Sequence, residues 1–222
     1  MKKLVVLLCL FVVACGSMLN EISILDRSSC KLPCWNDIVA GQTTEDELLD
    51  ILANLPDVDP ESIRSTNQTW DIFDHQTTFS FIQDWSFDQK PKLRGYADIN
   101  DDVVSALSFC GKINTTMGAL AETLGEPEYI INGDDFSGGR LVILIHPKTG
   151  VSYSYTAKLS NLEITPDTQI DCIQSFDPLL YEEMLDAGLF SNSGYSAEET
   201  LRVMYSWDGY GNLDEKYPPR QP

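Results

Sequence analysis

The period of the apolar positions changes several times along this chain. GQTTEDELLDIL (41–52) and INTTMGALAETL (113–124) carry apolar residues at helical spacing. The two segments can be superimposed by matching Thr43-Thr44 to Thr115-Thr116, whereupon Leu48 meets Leu120 and Leu52 meets Leu124. Each opens on a threonine pair able to cap a helix. In the first, Thr44 and Glu47 have the spacing of a capping box. Leu55-Pro56 should stop the first helix and Gly125-Glu126-Pro127 the second. Each helix is followed by strand-like sequence. WDIFD (70–74), TTFSFIQD (77–84), KLRGYADI (92–99) and VVSALSF (103–109) follow the first. EYIIN (128–132), RLVILIH (140–146), VSYSYTAK (151–158), NLEIT (161–165) and IDCIQSF (170–176) follow the second. Asn100-Asp101-Asp102 and Pro147-Lys148-Thr149-Gly150 read as turns between strands.

The C-terminal part returns to a helical pattern. Asp177-Pro178 starts a segment that Gly188 should stop, and Ser196 with Glu199 is a second capping box before ETLRVMY. Strand runs joined by hairpins predict antiparallel sheet, so the expected class is α+β. The expected architecture is two tandem helix-plus-antiparallel-sheet units, their helices packed on one face, followed by a short helical segment. The boundaries are a first unit at 30–110, a second at 111–176, a helical segment at 177–214 and a tail at 215–222.

The N-terminus changes the picture from a fold to an address. Lys2 and Lys3 precede an apolar run, Leu4 to Val13. Ten residues make a helix of about 15 Å, too short for a hydrocarbon core of about 30 Å. Residues 1–14 therefore read as a signal peptide. Val12-Val13-Ala14-Cys15 resembles the bacterial lipobox, which implies acylation at Cys15, a lipidated tether over 15–29 and anchoring to a membrane through lipid. Gly16, where Asp would retain such a protein at the inner membrane, implies the outer membrane or outer cell surface.

Four cysteines remain after Cys9 and Cys15: Cys30, Cys34, Cys110 and Cys172. In an exported chain they predict two disulfides. Cys30–Cys34 with Cys110–Cys172 is the favoured pairing. The alternative sends both N-terminal cysteines across to Cys110 and Cys172. The formal net charge of −19 argues against nucleic acid as a partner, since phosphates require a basic face.

The apolar and threonine positions above, after a lipobox, resemble the BamE (SmpA/OmlA) lipoproteins and the tandem β-lactamase-inhibitory proteins. The matching residues are Gly41, Thr43, Leu48 and Leu52, then Thr115, Leu120, Leu124, Gly125 and Pro127. The first copy lacks the Gly-x-Pro ending and carries an insert at 56–69. The resemblance implies scaffold and protein-contact roles rather than chemistry. The CxLPCW start also resembles bacterial lipoproteins of unassigned activity.

Little in the chain suggests a reaction. His75 and His146 are the only histidines and stand far apart. Asp98-x-Asn100-x-Asp102 alternates oxygen ligands, yet Val103 and Phe109 occupy the positions where a calcium loop needs Gly and Glu. Asp208, Asn212 and Asp214 form a similar weak cluster. There is no G-x-S-x-G elbow, and the Gly138-Gly139 loop lacks a phosphate loop's ending. No metal, cofactor or catalytic residue is expected. Trp70, Trp85, Tyr153 and Tyr155 are the candidate binding aromatics. The expected function is a non-catalytic, lipid-anchored module that binds a protein partner or serves envelope assembly through a sheet face. The alternative is a lipid-anchored hydrolase or glycan- or peptide-binding protein of the cell surface.

Overall fold

The structure, a computed structural model, describes residues 25, 28–67, 72–81, 93–111, 113–135, 138–190 and 196–218. The expected signal, Cys15 and most of the expected tether lie outside the described residues, as do Trp70 and Trp85. Helix α1 (Glu45–Asn54) starts on the Thr44–Glu47 capping box and ends before Leu55, as its sequence predicts. Helix α2 (Met117–Leu124) is capped by Thr116 and closed by Gly125 at φ 83°. The strands β1 (Arg64–Asn67), β2 (His75–Ser80), β3 (Leu93–Asn100) and β4 (Val103–Gly111) follow α1. β5 (Tyr129–Asp134), β6 (Arg140–His146), β7 (Val151–Ala157), β8 (Glu163–Ile164) and β9 (Cys172–Phe176) follow α2.

These strands do not make two units. They form one antiparallel sheet of nine strands in the order β1-β2-β3-β4-β9-β7-β6-β5-β10, where β10 is Met204–Ser206. The tandem arrangement expected from the sequence is therefore corrected. The reason lies at the join. β4 carries Val104, Leu107 and Phe109 on one face, and β9 sets Ile173 directly beside Phe109. With an apolar row on each, the two strands pair from Ala106↔Phe176 to Cys110↔Cys172 and leave no boundary between halves.

The expectation of helices on one face is also overturned. Leu48 and Leu52 of α1, and Met117 and Leu120 of α2, gather in one core with Trp35, Phe79, Phe109 and Tyr153. Helices α3 (Tyr181–Asp186) and α4 (Ala197–Val203) lie on the opposite face. They bring Met184, Leu185 and Val203 against Leu141, Ile143 and Ile145 of β6. β6 is buried along both faces, with only Arg140 half-buried. A strand apolar on both sides must be covered twice. RLVILIH shows no alternation, and the second layer of helices answers that.

The C-terminal segment is not only helical. β10 extends the sheet beyond β5, β11 (Gly211–Asn212) pairs with β8, and α5 (Leu213–Lys216) folds behind it. The expected tail begins inside α5, because Tyr217 is 1% exposed and its hydroxyl donates to the Gly209 carbonyl at 2.9 Å. An apolar ring anchors the chain end there.

Both turns expected from the sequence are present. Asp101 and Asp102 at φ 50° and 62° make a tight two-residue hairpin of the mirror-image type between β3 and β4. Gly150 at φ 65° turns β6 into β7 against the Phe176 carbonyl, which a Cβ would approach to 2.1 Å.

Candidate protein-binding face

Successive side chains on a strand point to opposite faces, so the pairing register assigns every residue of the sheet to one side. On the core side of β2 and β3 lie Thr77, Phe79, Leu93, Ala97 and Ile99, all buried. Opposite them, three rows run across the strands. The central row is Arg64–Thr78–Tyr96–Ser108–Gln174–Ser152, crossing from β1 through β2, β3, β4 and β9 to β7. The second is Ser80–Arg94–Cys110–Cys172–Ser154. The third is Thr66–Gln76–Asp98–Ala106–Phe176.

Every residue of the central row is polar or a tyrosine. At the usual strand spacing it spans about 24 Å. The apolar cluster under α3 and α4 takes in Ala106 and Phe176 but no residue of β1, β2 or β3. Arg64, Thr66 and Arg94 are exposed there, and Gln76, Thr78, Tyr96, Ser108 and Gln174 are half-buried. Internal bonds hold parts of the face in place. Gln76 Nε2 donates to Asp98 Oδ1 at 2.6 Å, and Ser152 Oγ donates to Gln174 Oε1 at 3.2 Å. Asp98, the one carboxylate in these rows, is 7% exposed.

The four cysteines pair as favoured: Cys30 with Cys34, and Cys110 with Cys172. The second bridge ties β4 to β9 and sits on the polar face, half-buried. Cys30, Cys34 and Asp37 place ligand atoms within 4.8 Å of one another, but both sulfurs are committed to their bridge. Trp35 follows that bridge into the core, packing on Phe109 at 4.7 Å and Phe79 at 6.2 Å.

Tyr153 and Tyr155, proposed from sequence as binding aromatics, lie on the other face and are 2% and 7% exposed. Burial in the apolar core pushes both phenols upward, beyond where tyrosine ordinarily titrates. Their parity matches Val142 and Leu144 on β6, so the core claims them. Trp70 and Trp85 lie outside the described residues. His75 Nε2 lies 2.7 Å from Glu45 Oε1, which links β2 to the start of α1. His146 is 4% exposed at the end of β6 beside Tyr153, and burial holds it below its ordinary pKa. The two histidines belong to different parts of one core, and each has a structural setting. Of the oxygen clusters, Asp98 accepts from Gln76 and Asp208 pairs with Lys216 at 3.6 Å.

The residues that sequence reading missed are those of the polar rows. Their signal was the parity of HQTTFS and LRGYADIN, where Gln76, Thr78, Arg94 and Tyr96 alternate with Thr77, Phe79, Gly95 and Ala97.

No family model, curated protein or solved structure matches the chain. The disulfides suggest an exported, non-cytoplasmic protein. Among the described residues no helix is long and apolar enough to cross a membrane.

Proposed function

We propose that this is an exported protein, anchored by lipid on Cys15 at the outer membrane or outer cell surface, that binds another protein without catalysing a reaction. The observation that carries the reading is the polar row Arg64–Thr78–Tyr96–Ser108–Gln174–Ser152, laid on a rigid sheet and left without a helix over β1–β3 among the described residues. A sheet of this size presents side chains at fixed spacing, so a partner meets a pre-organised surface and little ordering entropy is lost. Over β1–β3, where no helix among the described residues covers them, the three rows measure roughly 10 Å by 14 Å, about 140 Å². A partner contributes about 800 Å² to a standard interface. The contact therefore extends beyond the rows, onto β1, the edge strand among the described residues, and the turn at Pro60–Ser62.

The test is affinity capture from membranes solubilised in a non-ionic detergent, comparing the wild type with Tyr96→Ala and Ser108→Lys. Both sites lie in the polar row, so a single stoichiometric partner should be captured by the wild type and lost from each variant. Urea midpoints confirm that the variants are folded. Equal capture by all three would refute the reading. The anchor has its own measurement: the native protein should carry acyl mass that Cys15→Ser lacks.

A further inference from the structure

The two disulfides differ in what surrounds their sulfurs. Trp35 and Ile38 exchange backbone hydrogen bonds at 3.0 and 2.9 Å, with Asn36 and Asp37 between them at φ 46° and 66°. This is a two-residue turn of the mirror-image type, and it leaves the amides of both central residues outside its own bonds. The Asn36 amide donates to Ser28 Oγ at 2.9 Å, and the Asp37 amide donates to Cys30 Sγ at 3.5 Å. The Cys30 amide also donates to Ser28 Oγ, at 3.3 Å. A hydroxyl has two acceptor sites and one proton, so two amides fill the acceptor sites of Ser28. Its oxygen lies 3.6 Å from Cys30 Sγ. A bridged sulfur has no proton, so the Ser28 hydroxyl is the donor in that contact.

Cys30 Sγ therefore accepts two hydrogen bonds, and among the described residues the other three bridged sulfurs accept none. Neither sulfur of an intact disulfide carries charge, so the two donors gain little from it. They gain much more from Cys30 as a thiolate, because donors to a charged group make the stronger bonds and favour the charged form. A disulfide opens faster when the departing sulfur is the better-stabilised thiolate. Both sulfurs line one open cavity of about 610 Å³ between this loop and α2, together with Lys31, Leu32, Thr116 and Thr123. An external thiol can reach them there. The bridge spans only 4 positions, and the neighbouring Trp35 is 1% exposed and packed on Phe79 and Phe109. Opening the bridge thus releases little chain and leaves its anchor in the core.

We propose that Cys30–Cys34 is a site of reversible thiol modification, at which Cys34 takes up an external thiol as a mixed disulfide. The attacking thiolate, its proton lost to water, forms a bond to Cys34 Sγ. The bond between the two cysteine sulfurs breaks, and its electron pair leaves on Cys30 Sγ. Ser28 and Asp37 hold that thiolate until it takes a proton from water. In the reverse step Cys30 Sγ attacks Cys34 Sγ, expels the thiol and restores the bridge. The thiol is the only co-reactant. The Asp37 side chain works against its own amide, because the carboxylate lies within 4.8 Å of both sulfurs and opposes negative charge on either.

The probe is 2-mercaptoethanol, a neutral thiol, added to the full-length protein in non-ionic detergent. Free thiols are capped with N-ethylmaleimide, and trypsin cleavage after Lys31 places the two sulfurs on separate peptides. Mass spectrometry should find mercaptoethanol on Cys34 and maleimide on Cys30, about ten-fold over the reverse arrangement. Cys110–Cys172 should stay closed at the same thiol concentration. Ser28→Ala should slow the modification about five-fold, the effect of one lost hydrogen bond, and Ser28→Thr, which keeps the hydroxyl, should react as the wild type does. Asp37→Asn keeps the amide and tolerates the positive φ, so it should react faster than the wild type. Equal labelling of Cys30 and Cys34 would overturn the proposal. So would equal rates for Ser28→Ala and Ser28→Thr, or exchange at Cys110–Cys172 as fast as at Cys30–Cys34.

Discussion

The two disulfides should stabilise the protein unequally, and their placement lets the difference be worked out. Cys110 and Cys172 are 62 positions apart, and Cys30 and Cys34 only 4. In the chain-entropy model a crosslink stabilises by restricting the unfolded chain, more so for a longer loop. At 25 °C the longer loop gives about 4.3 kcal/mol and the shorter about 1.9 kcal/mol. The loops do not overlap in sequence, so the effects should add to about 6 kcal/mol, a large share of a typical total of about 5–15 kcal/mol. The perturbations are the paired variants Cys110→Ala/Cys172→Ala and Cys30→Ala/Cys34→Ala. All four cysteines are half-buried, so the cavity terms are comparable and the loop length dominates the contrast. With a urea m-value of about 2 kcal/mol per M, the midpoints should fall by about 2 M and about 1 M. The assay is equilibrium urea unfolding followed by tryptophan fluorescence. Equal shifts, or a larger one for Cys30→Ala/Cys34→Ala, would refute the entropic account and place the stabilisation in local packing.

Three further outcomes follow from individual sites. Gly95→Ala should destabilise by about 1–3 kcal/mol in urea unfolding. Its Cβ would lie 2.1 Å from the Phe79 ring, and Trp35, Phe81 and Phe109 hold that ring in place; an unchanged midpoint would show that the ring can move. Tyr155→Phe should leave stability unchanged or raise it by up to about 1 kcal/mol, because the Tyr155 hydroxyl is buried without a hydrogen-bond partner among the described residues; a clear loss would reveal a partner for that hydroxyl. His146 is held below its ordinary 6.5 chiefly by burial, with Glu128 and Glu126 pulling the other way. The unfolded chain then binds its proton first, so the contribution is fully present above about pH 6.5 and is lost as the pH falls below it. The urea midpoint should drop between pH 7.5 and pH 5, and less so in His146→Gln. Glu47 and Glu199, both lowered by capping bonds from Thr44 and Ser196, act only below 4.5 and leave that window clear.

How far the sequence could be read depends on what each strand faces. The capping boxes at Thr44 and Ser196, the stop at Gly125 and the hairpin at Asp101-Asp102 depend on residues within four positions of each other, and local pattern was enough to find them. Layering is different, because it depends on what lies opposite. β2 and β3 alternate cleanly, which is the pattern of a sheet covered once. β6 does not alternate, and α3 and α4 cover it from the second side. Reading every strand as covered once therefore put all helices on one face. The same difference misplaced the binding aromatics. VSYSYTA alternates perfectly, but alternation alone cannot say which parity is buried. Pairing with Val142 and Leu144 decides it, and those neighbours send Tyr153 and Tyr155 into their core and the serines to the opposite face, where Ser152 is itself buried and Ser154 half-buried. A search for binding residues by aromatic content thus selects the core of this sheet. A search by parity, starting from the buried Phe79, Ala97 and Phe109, selects Thr78, Tyr96 and Ser108 across three adjacent strands. On a sheet covered once over β1–β3, the residues that alternate with the core are the ones a partner can reach.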